Sequence, residues 1–266
     1  MNTEHTCKNC GHEIAENFCP NCGQKKYKRI DGKYIKDEIQ YSILHTNKGF
    51  FYTIKNLIKN PGKTVRDYLD GNRVNHYKPI LLAFVMSGIS TYISFKILKM
   101  GKIFEEIPAK MNYKTSQSLL MADYSNFVQS YNTFIYMMMI PCFALASFLT
   151  FRKLKQNYYE HIVINSYLYV VYVLFCMIFM YPLMYFIQGT NASLYISALT
   201  MFGFVFIFPW FFKNLYPQLN KSKIWLNTFV FCLLSGLLYF FAIFVGATIY
   251  IIYEISTKGI EVMKPA

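Results

Sequence analysis

Four cysteines carry the clearest chemistry in this chain, in the pairs Cys7-Lys8-Asn9-Cys10-Gly11 and Cys19-Pro20-Asn21-Cys22-Gly23. A two-residue gap lets both thiolates of one tight turn reach the same ion, and two such turns supply the four soft ligands of a closed tetrahedral zinc site. The glycine after each pair can adopt the positive φ that turns backbone N–H groups toward sulfur. Cys7, Cys10, Cys19 and Cys22 are therefore the expected ligands of one zinc ion. Protein takes every position, none is left for a substrate water, and the ion is structural. Similar ligands serve iron–sulfur and rubredoxin-like iron sites, so iron stays open as the alternative. A disulfide pair is disfavoured in a reducing cytosol, and a thioredoxin-like motif would need one CxxC on a βαβ unit. His12 reads as a solvated turn residue beside a shell that is already full.

The other reactive groups are few. Cys142, Cys176 and Cys232 lie singly in apolar runs and read as helix-packing residues. Asp67, Asp70, Arg73 and His76, with His45 upstream, form a polar cluster that reads as a solvated turn, with a catalytic pocket as its rival. His161 reads as solvated or interfacial, while Asn165 and Asn227 read as hydrogen-bonding a neighbouring helix. HExxH, GxSxG, a glycine-rich phosphate loop and paired carboxylates in or beside an apolar run are all missing from the sequence.

The elements that hold these groups are set by composition. Of 266 residues, 54% are hydrophobic and only 15% charged, against about a quarter charged in an average soluble domain. The apolar residues gather into five runs, 79–98, 131–151, 162–187, 194–212 and 226–253. Each is near the roughly 20 residues that a helix needs to cross a bilayer. Lys96 is the one charged residue inside them, close enough to an end to snorkel. The fold class expected is an all-α integral membrane helical bundle of five transmembrane helices, with a small N-terminal zinc ribbon over residues 1–26. A ribbon this small has no core of its own, so the metal must hold it folded.

Charge sets the orientation. Residues 1–36 are polar and contain no signal-peptide core, so the N-terminus is expected in the cytosol. Of the 27 Lys and Arg residues, 20 then fall on the cytosolic side of a five-span map, as the positive-inside rule requires. The map is N-in and C-out. Topology and anionic inner-leaflet lipid account for the net charge of +13, and no nucleic acid is expected. Asn191-Ala192-Ser193 matches a glycosylation sequon by chance, in a turn too close to the bilayer.

Pro141, Pro182 and Pro209 interrupt three runs and read as kinks, with a transport path as the rival. Ser87, Ser90, Thr91 and Ser94 stripe the first run and read as close helix packing. Between ribbon and bundle, residues 27–78 form a basic juxtamembrane segment containing an amphipathic helix over about 41–59. Its apolar residues Ile43, Leu44, Phe50, Phe51, Ile54, Leu57 and Ile58 oppose Lys48, Lys55 and Lys59, as an interfacial helix requires. Pro61-Gly62 ends it, and Thr64-Val65-Arg66-Asp67 has capping-box spacing for a second short helix.

These motifs, in order, resemble a known family. CxxCG, Phe18 to Gln24 as FCxxCGQ, Thr53-x3-Leu57, Pro61-Gly62, Tyr68-x2-Gly71-x-Arg73, Tyr77 and Pro79 are similar to bacterial membrane proteins of domain-of-unknown-function family 3667. The resemblance covers roughly the first 80 residues. It implies a zinc ribbon and the bacterial cytoplasmic (inner) membrane, and it implies no activity. A topology-level likeness to five-span Yip1-type proteins carries no function.

The function expected is that of a non-enzymatic scaffold, which docks a cytosolic protein through the ribbon or organises the inner leaflet. A homo-oligomer is compatible with the sequence. The alternatives are a transporter or channel for a small or lipidic solute along the proline-kinked spans, and a lipid-modifying enzyme with its site at the cytosolic face.

Overall fold

The computed structural model describes residues 6–35, 49–101, 115–187 and 203–258. Among them the regular elements are all helical, and the only extended pairing is two isolated bridges in the ribbon. Seven longer helices follow in order: α1 (Phe50–Lys59), α2 (Pro61–Leu69), α3 (Pro79–Ile97), α4 (Thr115–Phe151), α5 (Tyr158–Ile187), α6 (Phe204–Leu215) and α7 (Lys221–Lys258).

Four of these are long and apolar enough to cross a membrane, at Pro79–Ile97, Ser130–Leu154, Tyr158–Ile187 and Lys221–Gly246. Their surfaces support that reading. On α7, Phe229, Leu233, Leu237, Phe240, Phe244 and Ile249 are all exposed, a continuous apolar face that water would not tolerate but lipid would. The expected run 194–212 is described only from Phe204 onward, and its first part lies outside the described residues. The 12 residues of α6 rise about 18 Å, short of the ~30 Å apolar layer. α4 begins well before its apolar window, at Thr115.

The core sits where α3, α4, α5 and α6 converge, on Leu82, Met86, Ala146, Phe151, Ile164, Tyr167, Phe211 and Phe212. Three residues of the polar stripe of α3 are spent on holding it together. Ser90 and Ser94 both bond the Tyr181 hydroxyl of α5, at 2.7 and 3.0 Å, and Thr91 takes Thr133 and Asn132 of α4. Two π turns, Ile93–Ile97 and Cys176–Met180, flank that contact. The second lies just before Pro182, whose ring would clash with a regular α-turn.

Two local expectations are corrected, and a third is described only in part. α2 is capped by Asn60, whose side chain accepts from the Lys63 amide, with Pro61 in the first-turn position where its missing N–H costs nothing. Thr64 instead lies inside the helix and bonds back to the Asn60 carbonyl. His161 is fully buried rather than interfacial. Its Nδ1 is 2.9 Å from Ser147 Oγ, which also accepts from Asn165 Nδ2 at 2.6 Å, so the three residues tie α4 to α5. Of the amphipathic segment, residues 41–48 lie outside the described residues. The helix Phe50–Lys59 does not present one uniform apolar face. Thr53 and Leu57 are fully buried against the bundle, whereas Phe51 is 82% and Ile58 49% exposed.

Candidate metal centre

The two cysteine pairs fold into matching turns. Gly11 N–H donates to the Cys7 carbonyl and Gly23 N–H to the Cys19 carbonyl, both at 2.9 Å. Cys7 N–H donates to the His12 carbonyl and Cys19 N–H to the Gln24 carbonyl, both at 2.8 Å. Each turn needs its glycine, because Gly11 and Gly23 have φ of 73° and 71°, in the region that side chains disfavour. The turns bring Cys7, Cys10, Cys19 and Cys22 together with all four Sγ atoms within 4.8 Å of one another, a group that could hold a metal ion. None of the four is in a disulfide. Burial opposes ionisation of both Cys7 and Cys22 and pushes Cys7 up to about 11, but at Cys22 hydrogen bonds from Asn9, the Gln24 backbone, Cys10 and Cys7 outweigh it and lower its pKa to about 6. A thiolate, the form that binds metal, is thus accessible there near neutral pH. His12 is exposed and outside the cluster.

The ribbon is fastened to the helices through the residue after the second turn. Gln24 is 4% exposed. Its Nε2 donates to the Gly71 carbonyl, while its Oε1 accepts from the Arg73 and Val74 amides at 3.2 and 3.3 Å. Gly71 has a φ of 104°, and the Tyr27 ring lies against the face where a Cβ would stand. Arg73 donates from Nε to the Tyr68 carbonyl at 3.0 Å and places its guanidinium over the rings of Tyr34, Tyr68 and Tyr27 at 4.7, 5.5 and 5.6 Å, a cation–π cage. The strap that follows the ribbon adds the Arg29–Glu160 ion pair at 3.0 Å and the bond from Asn157 Nδ2 to the Ile30 carbonyl at 2.9 Å. Ile30 itself is buried in the bundle core.

α1 and α2 complete the platform. Thr53 Oγ1 accepts from the Tyr77 amide at 2.7 Å, and the Tyr77 carbonyl accepts from Tyr167 of α5 at 3.1 Å. Arg66 donates to the Asn214 and Leu215 carbonyls, satisfying the open C-terminal end of α6 with a positive charge.

The rival catalytic cluster is brought together only in part, with the charge of Asp67 reaching both Asp70 and His76. Asp67 and Asp70 line a polar cleft with Lys8, Tyr27 and Asn72, where burial and the neighbouring Asp67 raise the Asp70 pKa. His76 is buried, packed edge-on against the Tyr52 and Tyr68 rings at 5.4 and 6.3 Å. Burial lowers its pKa, so it is neutral at neutral pH. His45 lies outside the described residues.

Thr53, Leu57, Pro61, Gly62, Tyr68, Gly71, Arg73, Tyr77 and Pro79 therefore all serve the same small platform. Residues 47–91 match the family described as protein of unknown function (DUF3667). The resemblance read from the motifs holds over that segment, and the DUF3667 segment is the platform on which the ribbon rests. No curated protein and no solved structure matches the chain, and the Yip1-type likeness is not shown.

Gln24 was missed as a functional position because its partners lie 47 to 50 residues away. Its place in the FCxxCGQ motif was the available signal. Gln24→Ala should leave the metal bound while freeing the Arg73 and Val74 amides. Each lost bond is worth about 1 kcal/mol, so amide hydrogen exchange at 73 and 74 should quicken roughly fivefold. Unchanged exchange would show that the ribbon is held elsewhere.

Proposed function

We propose that this chain is a non-enzymatic scaffold of the bacterial cytoplasmic membrane, whose zinc-bound ribbon forms a fixed cytosolic platform that docks a partner protein. Five spans, with the N-terminus inside and the C-terminus outside, are part of this reading. So is an inner leaflet whose anionic lipids meet the basic juxtamembrane segment.

The convergence of the motif residues carries the proposal. They are spent on fastening the ribbon and on positioning the ends of α3, α5 and α6, and not on presenting acid, base or nucleophile to a common pocket. Zinc fits the four thiols. A tetrahedron with Zn–S bonds of about 2.3 Å has sulfur–sulfur edges of about 3.8 Å, and the Cys7–Cys22 and Cys10–Cys19 separations are 3.5 and 3.6 Å. When bound, the ion supplies a structural cross-link and no reactive position. The polar residues of α3 favour a scaffold over a transporter, because Ser90, Thr91 and Ser94 are committed to interhelical hydrogen bonds.

Phe18 is 58% exposed on the ribbon and is the natural anchor for a partner. A photo-crosslinking amino acid at position 18, in cells, should trap one defined cytosolic protein. The adduct should vanish when Cys7 and Cys19 are both serine. An adduct that survives this change, or a diffuse smear in its place, would remove the docking role.

A further inference from the structure

An apolar groove of about 380 Å³ runs between α5 and α6, lined by Leu174, Ile178, Phe179, Phe206 and Trp210, with Leu57 and Ile58 of α1 also in its wall. Its volume lies within the range of small-ligand clefts. It spans Val171 to Phe179 of α5, about 12 Å of helix. Ile178 and Phe179 of its wall belong to the π turn Cys176–Met180. Phe206 is 75% and Phe179 60% exposed, so the groove opens sideways, toward the apolar layer of a membrane.

The helix faces beside the groove are basic on α1 and α6. Lys55 precedes Ile58 by three residues and Lys213 follows Trp210 by three, so each cation shares a helix face with a lining residue. Lys55, Lys59 and Lys213 are all exposed. Neither residues 49–66 nor residues 203–253 contain an Asp or Glu. An apolar slot flanked by cations, with no anion on two of its three walls, is complementary to one kind of molecule.

We propose that the groove holds an acyl chain of an anionic phospholipid from the ribbon-side leaflet, with its phosphate held by Lys55, Lys59 and Lys213. Trp210 sits at the boundary, its ring against the chain and its N–H end toward the headgroup. The site gives α1 a second function besides covering the bundle, since Ile58 lines the groove and the lysines beside it select the lipid. The proposal rests on the membrane reading above and on neither the zinc nor the docking role, so each can fail without the other.

The chain has two tryptophans, Trp210 and Trp225, and Trp225→Phe leaves Trp210 as the sole reporter. The full-length Trp225→Phe protein would be reconstituted in phosphatidylcholine vesicles containing brominated phosphatidylglycerol or brominated phosphatidylcholine. Brominated phosphatidylglycerol should quench Trp210 at a clearly lower mole fraction. Lys59→Gln and Lys213→Gln should each reduce that preference about fivefold, and being surface changes they should leave the fold intact. Equal quenching by the two lipids, or a preference that survives Lys55→Gln, Lys59→Gln and Lys213→Gln together, would overturn the proposal. So would an absence of quenching by either lipid, since protein would then fill the groove.

Discussion

Serine at both Cys7 and Cys19 should take bound zinc from one ion per chain to none, as read by metal analysis of the purified protein. The loss should be complete because the ribbon has little else to hold it. Its buried cluster is Cys7, Ile14 and Cys19, with Cys22 against them, so Ile14 is its only member that is not an expected ligand. Structural zinc contributes about 10 to 16 kcal/mol in comparable small domains, far more than one isoleucine can return at about 1.5 to 3 kcal/mol for full burial. Without the ion, the turn that aims Gln24 at Gly71 is lost. The exposed basic residues Lys25, Lys28 and Arg29 should then become early trypsin sites while the helical bundle stays intact. Undiminished zinc would sink the assignment, and stoichiometric iron in the unaltered protein would replace one metal by the other.

The cysteine cluster was legible in the sequence because its geometry is local. Two CxxCG turns fix their own backbone, and the positive φ expected of the glycines is found at both Gly11 and Gly23. Four of the five expected runs were legible as helices long enough to span for a similar reason, since length and hydropathy are properties of each segment alone. Docking was not legible. Gln24 to Gly71, Arg29 to Glu160 and Arg66 to Leu215 bridge 47, 131 and 149 residues, and nothing in the spacing of either partner marks the other. The same limit hid the fate of His161. Its position near a span end suggested an interface, but Ser147, fourteen residues earlier, turns it inward.

Helical periodicity also proved an incomplete guide to the face that α1 buries. A period of 3.6 groups Phe51 and Ile58 with Leu57 as one apolar stripe, yet only Leu57 is buried. The reason is that α1 packs Leu57 into the bundle core, while Ile58 stands half-exposed at the groove and Phe51 lies on the open surface. A sequence pattern reports that a surface is apolar. It does not report whether protein or lipid covers it.

The last expectation concerns Gly62, which lies within α2 and is buried against the end of α6. Helix propensity alone favours Gly62→Ala by about 1 kcal/mol. The contact opposes it, because an added Cβ would fall on the Asn214 carbonyl and the Leu215 amide, closer than any van der Waals contact allows. Those are backbone atoms at a helix end and cannot swing aside as a flexible side chain could. Relief requires α2 to lift from α6, which would break the Arg66 bonds to the Asn214 and Leu215 carbonyls. Hydrogen bonds to a charged group are worth about 1.5 to 3 kcal/mol each, and overpacking alone costs about 1 to 3 kcal/mol. The clash therefore wins, with a net loss of about 2 kcal/mol or more expected in thermal unfolding of the detergent-purified protein. Gly88 is the matched control, a helical glycine with nothing within 4 Å of its added Cβ. Gly88→Ala should be neutral or slightly stabilising. If the two alanine variants melt together, α2 does not pack on α6 as closely as this, and the platform that carries the ribbon is looser than its hydrogen bonds imply.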